Sequence, residues 1–106
     1  MFARVVELNC KPEKIVDLRT RLDEDVLPVL RKQKGFVDEL VLNSDRETGH
    51  VLAISLWNTR EDAERYQRET YSKIAEQLRP AIQGEPRVNT YNVELSTPHK
   101  IAAKAA

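Results

Sequence analysis

The apolar residues of this chain change their spacing in the order strand, helix, strand, strand, helix, strand, and that order narrows the possible folds most. Residues 2–9 (FARVVELN) are rich in β-formers and stop at Cys10-Lys11-Pro12. From Pro12 the period lengthens: Ile15, Leu18, Leu22, Val26, Val29 and Leu30 recur every three or four residues with charges between them, as on an amphipathic helix with one buried stripe. Pro12 is tolerated in a first helical turn, and Glu13 suits the positive end of the helix dipole. Pro28 predicts a bend, because an interior proline removes a hydrogen bond. The helix then ends at Gly35, after the cations Arg31, Lys32 and Lys34.

Residues 36–43 (FVDELVLN) and 50–57 (HVLAISLW), joined by a polar, glycine-containing segment, predict a hairpin. Thr59 followed by Asp62 resembles a capping box and opens a second helix. Ala63, Tyr66 or Gln67, Thr70 or Tyr71, Ile74 and Leu78 form its buried face, with a break expected at Glu69-Thr70. Pro80, Gly84 and Pro86 end it, and residues 87–95 (RVNTYNVEL) alternate as a last strand. One domain is expected over residues 1–95, with 96–106 (STPHKIAAKAA) as a flexible tail.

This β-α-β-β-α-β order is the ferredoxin-like arrangement, an α+β fold with a four-stranded antiparallel sheet. Strand 50–57 carries a second constraint. His50, Leu52, Ile54 and Leu56 point one way and Val51, Ala53, Ser55 and Trp57 the other, so both faces are largely apolar. Two helices cover only one face of such a sheet. The other face needs cover, most simply a second copy of the same sheet, and a homodimer through the open sheet face is expected.

At 106 residues the chain fits one domain and buries only about two-thirds of its unfolded surface, so its core must be small or shared. Seventeen Lys+Arg balance seventeen Asp+Glu, which argues against an electrostatic nucleic-acid binder. No apolar run approaches the ~18 residues of a membrane span. Glu7, Lys11, Glu13, Lys14 and Asp17 interrupt any signal-peptide core. A single cysteine, Cys10, suits a reducing compartment. The expectation is a soluble cytoplasmic domain with neither nucleic acid nor membrane as partner.

Several short segments resemble one family. Pro12-Glu13-Lys14 opens the first helix, and Val26-Leu27-Pro28 precedes Gly35-Phe36. Leu56-Trp57-Asn58-Thr59 leads into Glu61-Asp62-Ala63, and Leu78-Arg79-Pro80 closes the second helix. Together, over residues 2–95, they resemble the antibiotic-biosynthesis-monooxygenase (ABM) domains of the dimeric α+β barrel superfamily. That resemblance implies a homodimer whose two sheets close into a barrel, with a pocket in each subunit between sheet and helices. Some members oxygenate anthrones, quinols or related aromatics without metal or flavin; others degrade haem, and one isomerises a phosphorylated molecule. The haem-degrading branch uses an Asn, a Trp and a His ligand at positions that fall here on Val6, Tyr66 and Ala75 or Glu76. Residues 59–80 contain no histidine, so haem degradation is disfavoured.

The leading expectation is a cofactor-independent monooxygenase acting on a small aromatic or quinol-type substrate. The alternatives are a non-enzymatic dimer binding a small hydrophobic ligand, and an isomerase on the same fold, which would need a convergent basic site. The pocket candidates are Trp57, Tyr66, Asn58 and His50. Trp57 either walls an aromatic pocket or locks strand to helix as a core side chain. The Tyr66 phenol either bonds a substrate oxygen or borders the amphipathic face. Asn58 could orient a carbonyl, although Asn is ordinary at strand ends. His50 could act as a base, although Thr48-Gly49 before it reads as a solvated turn edge. Cys10 has cations nearby but no nameable base, so no nucleophile is assigned. His50 and His99 are too far apart in sequence to suggest a metal site, and no cofactor is expected.

Overall fold

Phe2, Arg4, Val6 and Leu8 turn one way along the first strand and Ala3, Val5 and Glu7 the other, and both sets are largely covered. A strand used on both faces belongs in the middle of a sheet. In the computed structural model, which describes residues 1–101, β1 (Phe2–Asn9) pairs antiparallel with both β3 (His50–Trp57) and β4 (Arg87–Asn92). The hairpin partner β2 (Phe36–Asn43) adds to β3, giving the order β2-β3-β1-β4. This is the ferredoxin-like α+β fold. β4 is shorter than the alternation of residues 87–95 predicts. Val93 makes a last backbone bond to Met1 O at 3.0 Å, just past the end of β4 at Asn92.

The helices lie on one face of the sheet. A 3-10 turn (Pro12–Lys14) leads into α1 (Ile15–Arg21), a π turn (Leu22–Val26) and α2 (Leu27–Arg31). The interruption expected at Pro28 takes the form of this π turn just before it. Leu18, Leu22, Val26 and Leu30 are spaced by fours and all buried. In an α-helix each step of four overshoots a 3.6-residue turn by about 40°, so such a series drifts off its face. The wider π turn between Leu22 and Val26 corrects the drift and keeps all four on the sheet.

The first helical segment is tied to the second by Gly35. Its φ of +82° is in the left-handed region, and a Cβ there would sit 2.1 Å from Asp62 Oδ2. The Gly35 carbonyl accepts from Asn58 N–H at 2.8 Å, which fixes the entry to α3 (Arg60–Glu69). Thr59 Oγ1 accepts from Asp62 N–H at 3.1 Å, as the capping pattern predicts. Asp62 does not return the bond; its Oδ1 accepts from Arg65 at 2.9 Å instead. The break falls at Thr70, after which α4 (Tyr71–Leu78) runs into a 3-10 turn (Arg79–Ala81).

Phe2, Val6, Leu8, Val51, Ala53 and Trp57 meet Leu18, Leu30, Ala63, Tyr66, Ile74 and Leu78 in one core. The opposite sheet face carries Leu52, Ile54 and Leu56, with Leu40, Leu42 and Tyr91 47–54% exposed. Ser96 and Ile101 exchange backbone bonds of 2.7 and 2.8 Å across a turn that brings His99 Nε2 within 3.6 Å of Asp38 Oδ2. Of the expected tail, residues 96–101 form this turn and 102–106 lie outside the described residues.

Candidate functional site

Between the first helical segment and the hairpin the core opens into a cavity of about 540 Å³. Ile15, Leu18, Leu22, Val26 and Leu27 form its helical wall, and Val41, Val51 and Cys10 its strand wall. Asn43, Ser44, Thr48 and Gly49 belong to the hairpin end, and Arg19 and Asp23 add charge on the helical side. The Gly49 bend (φ +84°) brings the turn against β1, so that Cys10 N–H donates to Gly49 O at 2.7 Å. A Cβ on Gly49 would lie 2.6 Å from Cys10 O.

One charged side chain enters this cavity from the sheet. Phe36 lies opposite Trp57 on the helix-facing side, and strict alternation would place Asp38 there too. A bulge between Phe36 and Asp38 inserts Val37 and shifts the alternation by one residue. Glu39 therefore turns inward, opposite Ser55, followed by Val41 and Asn43, while Asp38, Leu40 and Leu42 turn outward. Glu39 Oε1 is buried and has no hydrogen-bond partner among the described residues. Burial pushes this carboxyl up to about 8; the Leu40 backbone and the Arg4 charge pull it back, and Asp38 adds to the rise.

Arg4 is the matching buried cation, 3% exposed, opposite Ser55 from the β1 side. Its guanidinium donates to Gln67 Oε1 and lies 5.0 and 4.7 Å from the ring centres of Tyr66 and Tyr71. Burial lowers its pKa, and Tyr66, Tyr71 and Glu39 oppose that shift. A smaller hollow of about 220 Å³ is lined by Arg4 together with Phe2, Arg60, Ala63, Glu64, Gln67 and Thr90.

The model of the antibiotic biosynthesis monooxygenase family, ABM, matches residues 1–78. The chain belongs to this family. Solved structures agree on its fold. SnoaB, a cofactor-independent oxygenase from Streptomyces nogalater, is 16% identical, with 92% of this chain and 96% of SnoaB covered and a TM-score of 0.70. A Deinococcus radiodurans protein named for the same family is also 16% identical, covering 91% and 95% of the two chains at a TM-score of 0.75. A conserved protein from Methanosarcina mazei Go1 is 20% identical, covering 86% and 91% at 0.71. Among curated proteins there is no match.

Within this ABM chain the four residues singled out from sequence fall in three places, and none lines the larger cavity. Trp57 is wholly buried, with its ring centre 5.7 Å from Phe36 and 5.1 Å from Tyr66. Its indole N–H donates to Ser55 Oγ at 2.9 Å. Tyr66 packs against it and meets Tyr71 at 6.2 Å; burial raises the Tyr66 phenol well above its ordinary range. Asn58 is exposed at the end of β3. His50 lies on the opposite face of the sheet, its ring nitrogens 3.9 and 3.8 Å from Glu7 and Glu47 carboxylates.

Cys10 lines the cavity, but burial raises its thiol pKa, with Asp17 and Glu13 adding to the effect. That is the opposite of an activated nucleophile. Glu39 and Arg4 are the site features that sequence reasoning missed. Adjacent acids in a strand do mark one of the pair as inward-facing, but only the bulge decides which.

Proposed function

We propose that this ABM chain is a soluble cytoplasmic homodimer that oxygenates a small aromatic substrate of the quinol or anthrone type without metal or flavin. The observation that carries the reading is the cavity. Its volume of about 540 Å³ suits a ligand of two or three fused rings, its walls are mainly aliphatic, and one buried carboxyl enters it. Loss of a proton makes the substrate an electron-rich anion that can pass an electron to dioxygen. One oxygen atom then forms a bond to the ring carbon and the other leaves as water, the substrate supplying all four electrons. The protein has to hold the ring, exclude water and favour the anion.

The homodimer is supported by the open sheet face, where Leu40, Leu42 and Tyr91 extend the apolar row of Leu52, Ile54 and Leu56. Among the described residues no helix is long and apolar enough to cross a membrane. Residues 1–95 form the working unit in this reading, with 96–106 as an appendage. Trp57 and Tyr66 support the site from the core, and Asn58 and His50 serve as outlying polar groups.

Oxygen uptake on a panel of hydroquinones and anthrones tests the proposal, without added metal or flavin. Protein-dependent uptake that falls at least tenfold in Val41→Trp, an indole placed on the strand wall of the cavity, supports it. Uptake no faster than autoxidation, in a protein that still binds the ring compounds, leaves a hydrophobic-ligand binder.

A further inference from the structure

We propose that Glu39 is the catalytic base of the cavity, its carboxylate taking the proton whose loss activates the bound ring. This deepens the oxygenase reading and rests on it for the identity of the substrate.

Three observations converge on this residue. Glu39 is the carboxyl that the sheet turns into the cavity, and it gets there through a bulge that reverses the alternation of β2. Bulges of this kind re-aim a side chain where a site needs one. Its Oε1 is buried without a partner, which is costly for a merely structural group. Finally, Arg4 stands on the same face but is engaged with Gln67, so it tempers the charge on Glu39 without occupying it.

The other charged or titratable groups around Glu39 and its cavity are Arg4 from β1, Cys10 just after that strand, Tyr66 from α3, Arg19 from α1 and Asp23 from the π turn, with Asp38 beside it on β2. In this environment the carboxyl ionises near pH 8, much closer to a phenol or an activated methylene than an ordinary glutamate is. With anthrone the methylene C–H bond breaks and its proton goes to the Glu39 carboxylate. The bonding pair delocalises onto the carbonyl oxygen, leaving the anthrolate anion and a neutral carboxylic acid.

This half-reaction needs no oxygen, so it can be tested apart from oxygenation. Anthrone is incubated anaerobically with the protein in D2O, and loss of its methylene proton signal is followed by NMR from pH 6 to 9.5. Ring binding is measured in parallel by quenching of anthrone fluorescence or by equilibrium dialysis. The expected result is protein-dependent exchange that rises with pH and levels off above about 8. Glu39→Gln should lower it about 100-fold or more while changing ring binding less than threefold, and Glu39→Asp should restore part of it. Removing a buried charge favours folding of the Gln variant, so a trivial loss of structure is not the expected cause.

Glu39-dependent exchange without oxygen uptake would sustain the base and overturn the oxygenase. Exchange at the wild-type rate in Glu39→Gln would overturn the base, whatever oxygen uptake shows. Ring binding without exchange by the wild type would overturn it as well.

Discussion

Glu39 and Arg4 flank Ser55 on the helix-facing side of the sheet, yet Arg4 gives its guanidinium to Gln67. An arginine and a carboxyl are thus buried near one another without direct contact. The arrangement makes stability depend on pH through Glu39. Its folded pKa, about 8, lies above the ordinary carboxylate value of 4.5, so the folded state holds this proton more tightly than the unfolded state does. The group's contribution is therefore most favourable at low pH and is lost as pH rises from about 4.5 through 8. Glu39→Gln should gain on the wild type across that window, reaching about 4–5 kcal/mol by pH 8.5 in urea unfolding. A difference independent of pH would contradict the assignment.

Arg4, after the Leu40 backbone, limits how far burial raises the carboxyl. Arg4→Met removes the nearest attractive charge and should move the Glu39 titration above 8, as read from the side-chain carboxyl 13C shift. No movement would mean that the Arg4 charge does not act on this carboxyl.

The contact between Gly35 and Asp62 predicts a large local cost. Gly35→Ala meets both a positive φ and a carboxylate 2.1 Å away, and should lose about 2–4 kcal/mol in chemical denaturation. Gly84→Ala shares the positive φ but has open space around the new methyl, so it should cost only about 1 kcal/mol. Equal losses would show that the contact with Asp62 adds nothing.

Ser55 is the sole hydrogen-bond acceptor of the wholly buried Trp57 indole among the described residues. Ser55→Ala should cost about 1–3 kcal/mol by leaving that donor unpaired. In a double-mutant cycle the cost should shrink once Trp57 is replaced by Phe.

The open face of the sheet gives a prediction about assembly. Leu40→Lys with Leu42→Lys places two charges among Leu52, Ile54 and Leu56. Sedimentation should shift from dimer to monomer at micromolar concentration, with the far-UV spectrum of the remaining fold preserved. A wild-type monomer would remove the basis for this test.

Much of the fold is legible in the sequence because the periods change cleanly. The alternation of HVLAISLW, the Gly49 turn, the Thr59 cap and the Thr70 break each have a local chemical cause. What the sequence does not mark is the β2 bulge. FVDELVLN reads as a regular strand, and a one-residue slip exchanges Asp38 for Glu39 on the inner face. The same limit applies to Trp57 and Tyr66. Their types suit a pocket or a core equally, and only packing shows them at the centre of an aromatic cluster. The π turn is also hidden, because a spacing of four reads as ordinary helix over a short window.

That π turn has a consequence for how the cavity can be resized. Asp23, Glu24 and Asp25 are exposed, while Leu22 and Val26 on either side of them are buried. The π turn takes up one residue more than an α-helix needs, so deleting one of these acids would restore plain α-geometry and leave Val26 and Leu30 on nearly the same face. The helical wall of the cavity would shorten by about one residue's rise, with Val26 and Leu27 still facing it. The room inside this fold is thus set in steps of a single residue, on the exposed side of one helical turn.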